Sequence, residues 1–246
     1  MAIRNIKLTI QYDGINYSGW QYQPGKRTIQ GELQRAISEL TGFFTKVSGA
    51  SRTDAGVSAL GQVANFSLDS PIPTENFVKA INHRLPKDIV VTEAVRADKT
   101  FDSSGSAKSK LYRYAIFTGK KRNVLKTRNC WHRPGALDIA AMTEAAKLLI
   151  GKKDFKSFAS AADKRKSSIR TVMQCQVARQ DNWVYIDIEA DRFLYNMVRN
   201  IVGTLVEIGR GKWKPEKINQ ILDAKDRTKA GPIAPAEGLC LMWIKY

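Results

Sequence analysis

Ala50–Val63 reads ASRTDAGVSALGQV. At its centre Arg52-Thr53-Asp54-Ala55-Gly56 has the composition of a tight turn. An Asp side chain bonds nearby backbone N–H groups, and Gly tolerates positive φ. A strand-like apolar run, Gln62-Val-Ala-Asn-Phe66, follows. One carboxylate and one guanidinium therefore stand on a short, stiff turn that feeds a strand. Taken alone, Asp54 does no more than cap its own turn.

Outward from this stretch, strands and helices interleave. Ile6, Leu8, Ile10 and Tyr12 alternate with polar residues, as in a half-buried strand. Thr28 is placed to cap a helix with Ile29, Leu33, Ile37 and Leu40 on one face. Phe43–Ser48 reads as a short strand leading into the Asp54 turn. Thr74 is expected to cap a second helix, with Phe77, Ala80, Ile81 and Leu85 inward and Pro86 as its stop. Strands are expected at Ile89–Ala94 and Ser109–Phe117. In the latter, Tyr112, Tyr114 and Ile116 share a face. Beyond it, Asp138 caps a helix, strands run over Thr171–Arg179 and Trp183–Ala190, and a long helix over Phe193–Ile208. A short helix follows Pro215, and Leu239–Tyr246 is a last strand. Several strand pairs lack a helix between them, which predicts an α+β fold with mixed or antiparallel sheet. The best candidate boundary is 118–134, dividing a lobe of 1–117 from one of 118–246.

The chain of 246 residues is 43% hydrophobic, enough for a core, and carries a net charge of +17. So large an excess on a folded chain points to a polyanionic partner. Lys152, Lys153, Lys156, Lys164, Arg165, Lys166 and Arg170 crowd one segment among serines, which reads as a phosphate-gripping loop. Lys108, Lys110, Arg113, Lys120, Lys121 and Arg122 form a second cluster. Cys130, Cys175 and Cys240 are isolated, and there are 2 histidines, so neither a disulfide framework nor a metal site is expected. The first residues read as a strand and not as a signal peptide. No apolar run nears the roughly 20 residues that span a bilayer. A cytoplasmic protein without membrane contact is expected.

Several stretches together resemble one family, the tRNA pseudouridine synthases of the A type. They are YDGINYSGWQYQP with TIQGELQRAI, SRTDAGVSALGQVANF, INHRLPKDIVV, SAKSKLYRY, DFKSFAS with SSIRTV, FLYNMVRNIVGTLVEIGRG and APAEGLCL, in one order from Tyr12 to Leu241. The resemblance implies an enzyme that isomerises uridine to pseudouridine at positions 38, 39 and 40 in the tRNA anticodon stem-loop. It implies no cofactor, no metal and a homodimer. It also implies a pseudouridine synthase fold, with two similar lobes joined around a basic cleft and helices on the outer face. By this resemblance Asp54 is the catalytic aspartate, as the nucleophile or through assisting loss of the proton at C2′. Tyr112 stacks beside the target base, and Arg199 pairs with the catalytic carboxylate. Leu239 packs under the base, and Arg52 fills the gap left by the flipped uridine. Lys164, Arg165 and Lys166 belong to the loop read above as phosphate-binding. By spacing alone Tyr112 and Leu239 are ordinary strand core residues and Arg199 an exposed helix arginine. The pattern departs from the family at Ser51, where Gly is usual, at Ser58, where His is frequent, and at Ser103-Ser104, where Ala-Arg is usual.

The rival function is a catalytically silent RNA-binding protein or RNA chaperone on the same fold. A binder of phosphate-rich RNA gains nothing from a carboxylate such as Asp54. A nuclease or glycosidase would need a metal cluster or a carboxylate pair, and none is evident.

Overall fold

The computed structural model describes residues 3–125 and 127–246, so the part of the N-terminal reading that falls on residues 1 and 2 lies outside it. In chain order the elements are β1 (Arg4–Tyr12), α1 (Ile29–Thr41), β2 (Ser48–Gly49), β3 (Ser58–Leu68), α2 (Phe77–Asn82) and β4 (Ile89–Ala97). These are followed by β5 (Ser109–Phe117), β6 (Trp131–His132), α3 (Ile139–Lys147), β7 (Gly151–Asp154), β8 (Ile169–Gln180) and β9 (Trp183–Ala190). The last are α4 (Met197–Gly209), α5 (Lys217–Ala224) and β10 (Leu239–Lys245). Two compact units result, Met1–Lys108 with Cys240–Tyr246, and Ser109–Leu239. β5 groups with the second unit because it pairs with β9 from Lys110 to Phe117. The chain end groups with the first because Cys240 and Leu241 pair with Ser58 and Ala59. No described helix is long and apolar enough to cross a membrane.

In the first unit β1 lies antiparallel between β3 and β4, and β10 joins β3 in parallel. α1 begins where expected, because Thr28 accepts from the Gly31 N–H at 3.2 Å. Its Ile29, Leu33 and Ile37 are fully buried, each contributing about 1.5–3 kcal/mol. Phe77 of α2 meets Phe66 of β3 edge-on at 5.9 Å.

In the second unit β9 lies antiparallel between β5 and β8, β7 extends β8, and β6 joins β5 in parallel. Val184, Ile186, Ile188 and Ala190 of β9 are buried. The alternate residues Trp183, Tyr185 and Asp187 are half-buried. Strand pairing is mixed in both units and both units carry helices, so the fold is α+β.

Several local expectations are corrected. Phe43–Val47 is not strand; pairing starts at Ser48. Thr74 opens a 3-10 turn without capping α2, and its hydroxyl accepts instead from Arg4 Nη1 at 3.3 Å. α2 ends at Asn82, whose amide clasps both the N–H and the C=O of Val91. The long helix starts at Met197 and not at Phe193, because Asn196 takes a left-handed φ of 61°. Arg199 thus sits in the first turn of α4. The basic segment 152–170 is not one loop. Lys152 and Lys153 lie on β7, where pairing with β8 overrides weak strand propensity.

Candidate active site

Asp54 stands on a turn closed by the Val57 N–H donating to its C=O at 3.2 Å, with Gly56 at φ 82°. β3 begins at once, at Ser58, earlier than the apolar run suggested. The backbone on either side is clamped. The amide of Gln62, wholly buried, donates to Ser51 O at 2.6 Å and accepts from Ser51 N–H at 3.2 Å. The Tyr12 and Thr53 hydroxyls share a hydrogen bond of 2.8 Å. From the other side the Gly- and aromatic-rich loop after β1 closes over the turn. Trp20 N–H donates to Thr53 O at 3.0 Å, and Gly56 N–H to Tyr17 O at 3.3 Å. Gly19, at φ 92°, comes so near that a Cβ there would lie 2.7 Å from Thr53 O. Burying these polar groups is tolerable only because they are bonded. The outcome is a carboxylate on a rigid mount. Asp54 itself is half-buried and Arg52 exposed.

Two departures from the family pattern have structural employment here. Ser58 Oγ accepts from Gly14 N–H at 3.1 Å. Ser103, fully buried, donates to Ser48 O at 3.0 Å while its own N–H donates to Asn65 Oδ1.

The second unit holds the other expected site residues. Tyr112 on β5 is buried, its ring edge-on to Phe193 at 5.2 Å. Arg199 Nε donates to Ala234 O at 2.8 Å and Nη1 to Asn196 Oδ1 at 3.3 Å. Leu239 is buried at the first position of β10. Arg199 and the stretch leading to Leu239 thus meet through Ala234.

Lys164, Arg165 and Lys166 are exposed. Their loop is anchored by Asp163, which accepts from the N–H groups of Tyr195 and Arg165 and pairs with the Arg165 guanidinium. Burial pushes the Asp163 carboxyl up, but these bonds and the Arg165 charge outweigh it and hold it below the usual carboxylate range. Arg165 is therefore partly an internal tie, leaving Lys164 and Lys166 as the outward charges. Lys110, which the sequence groups with the second basic cluster, is buried on β5. Burial, then the Arg192 and Arg165 charges, bring its ammonium down to about 8. Among the described residues no group of three or more His, Cys, Asp or Glu could hold a metal ion.

Sequence reasoning missed Gln62, Tyr12 and Gly19 as supports of the Asp54 turn. A glutamine within an apolar strand run was the available signal, since a buried amide must find partners.

Comparison with known proteins agrees with the motifs. A family model described as tRNA pseudouridine synthase matches residues 8–103 and 145–246. The chain is 45% identical over 244 residues to the tRNA pseudouridine synthase A of Acetivibrio thermocellus, covering 99% of this chain and 100% of that one. It is 46% identical over 243 residues to the protein of that name from Moorella thermoacetica, covering 98% and 99%.

Proposed function

Because the chain belongs to the tRNA pseudouridine synthase family, we propose that it isomerises uridine to pseudouridine at positions 38, 39 and 40 of the tRNA anticodon stem-loop. Asp54 is its catalytic nucleophile. The reaction breaks the C–N glycosidic bond, turns the base and joins C5 to the sugar. A carboxylate suits this as a group that forms an adduct and later leaves. The observation that carries the reading is the mounting of Asp54, whose flanking residues Ser51, Thr53 and Gly56 are all held by hydrogen bonds from neighbouring strands and loop. Chemistry on one atom needs such fixity, whereas RNA binding does not.

In this reading Tyr112 lies beside the target base and Leu239 under it. Arg199 holds the catalytic carboxylate in its ionised form. Arg52 enters the space of the extruded uridine, offsetting part of the few kcal/mol that unstacking costs. Lys164, Arg165 and Lys166 meet phosphates. The enzyme works in the cytoplasm as a homodimer, without cofactor or metal, and both subunits touch one tRNA.

Incubation with unmodified tRNA transcripts, followed by pseudouridine mapping, tests this. New pseudouridine at 38, 39 or 40 is expected. A gel shift with every uridine unchanged would instead favour the silent RNA-binding reading. A single-chain mass in solution at working concentration would count against the dimer.

A further inference from the structure

Tyr114 lies two residues beyond Tyr112 on β5 and is wholly buried. By spacing it is a core aromatic that makes a neutral control for Tyr112. Its surroundings say otherwise. The Tyr114 hydroxyl donates to Pro235 O at 2.7 Å. One residue earlier, Ala234 O accepts from Arg199 Nε at 2.8 Å, and Ala234 N–H donates to Arg199 O at 3.1 Å. Adjacent carbonyls of one short segment are thus gripped by Tyr114 and by Arg199. The segment has little freedom elsewhere. Gly231 N–H donates to Thr204 Oγ1 at 2.9 Å. A Cβ on Gly203 would lie 1.7 Å from Pro232 O, so α4 and this strap touch backbone to backbone. At the far end Gly238 packs on the Tyr114 ring, where a Cβ would come within 2.5 Å. Leu239 follows directly.

We propose that Tyr114 is a positioning residue for the isomerisation. Its hydroxyl fixes the Ala234–Pro235 strap whose carbonyl orients the Arg199 guanidinium, and its ring seats the start of β10 that carries Leu239. The inference rests on the role given above to Arg199. An arginine side chain is rich in rotamers, and a fixed acceptor at Nε removes part of that freedom before substrate arrives. Burial raises the Tyr114 phenol above its ordinary range. It therefore stays protonated, as a hydrogen-bond donor, across the working pH.

The test is a double-mutant cycle on the full chain, read as single-turnover rate on saturating unmodified tRNA transcript. The variants are Tyr114→Phe, Arg199→Lys, which keeps the charge but lacks Nε, and both together. Tyr114→Phe keeps the ring and should fold; melting curves set a common assay temperature below every transition. The expected result is a rate lowered between about tenfold and a hundredfold in Tyr114→Phe, an unchanged tRNA Kd, and little further loss when Tyr114→Phe is added to Arg199→Lys. A wild-type rate in Tyr114→Phe, or losses that multiply in the double variant, would overturn the inference while leaving Arg199 in place. Arg199→Met, made beside these, removes the charge as well; a wild-type rate in both it and Arg199→Lys would overturn the role of Arg199, and this inference with it.

Discussion

The Asp54 turn and the loop that carries Lys164–Lys166 look alike in sequence. Both are short, polar and built from Ser, Asp, Ala and basic residues. In the structure they are opposites. The first is enclosed by a buried glutamine, a tyrosine hydroxyl and the loop that contains Trp20. The second has Asp163 as its anchor and presents its basic side chains to solvent. The difference follows from the tasks proposed for them. Bond-making demands placement within a fraction of an ångström. Phosphate contacts act through charge and counterion release, and they tolerate movement.

Four experiments bear on that contrast. Asp54→Ala should reduce pseudouridine formation to the limit of detection, with tRNA affinity nearly intact in a filter-binding assay. Measurable turnover in this variant would sink the assignment of the turn. Gln62→Leu should come next. It strips two bonds from Ser51 and leaves buried backbone groups unsatisfied, costing about 1–3 kcal/mol in stability. Turnover measured below the melting transition should also fall, by roughly ten- to a hundredfold through misplacement of Asp54. If only the melting temperature changes, the clamp serves the fold and not the chemistry.

Replacing Lys164 and Lys166 together with Ala should leave single-turnover chemistry alone and act on binding. The slope of log affinity against log salt should flatten by about 1.4–1.8 for two lost phosphate contacts. An unaltered slope assigns the loop to plain solvated surface. The smallest effect is expected at Lys110. Its folded pKa, about 8, lies below the ordinary 10.5. Between these values the unfolded chain holds the proton and the folded one has lost it, so stability rises with pH across that window. Below about pH 8 both states are protonated and this contribution to the slope vanishes. Denaturation of Lys110→Met between pH 8 and 10 should show a shallower rise than wild type, by at most about 1.4 kcal/mol per pH unit. Parallel curves would mean that Lys110 titrates normally.

Much of the fold was legible because it depends on local pattern. β5 and β9 lie where alternation placed them, and Thr28 and Asp138 cap α1 and α3 as read. What failed locally was decided by distant partners. The start of α4 moved because Asn196 turns left-handed while Tyr195 N–H reaches Asp163, 32 residues away. β7 exists because β8 offers it an edge, although Gly-Lys-Lys-Asp has little strand preference of its own.

The sequence by itself determined the type of most elements, the α+β class, the basic charge and, through the motifs around Arg52-Thr-Asp-Ala-Gly56, the family. These are carried by period, composition and residue identity, each readable within a short window. Only the tertiary structure decided which residues stand behind the proposed site. Gln62 faces Ser51, Tyr114 reaches Pro235 across 121 residues, and Arg199 is gripped by Ala234 across 35. Each such bond joins a side chain to a backbone carbonyl. Every residue type offers that same carbonyl, so the acceptor leaves no mark in the sequence.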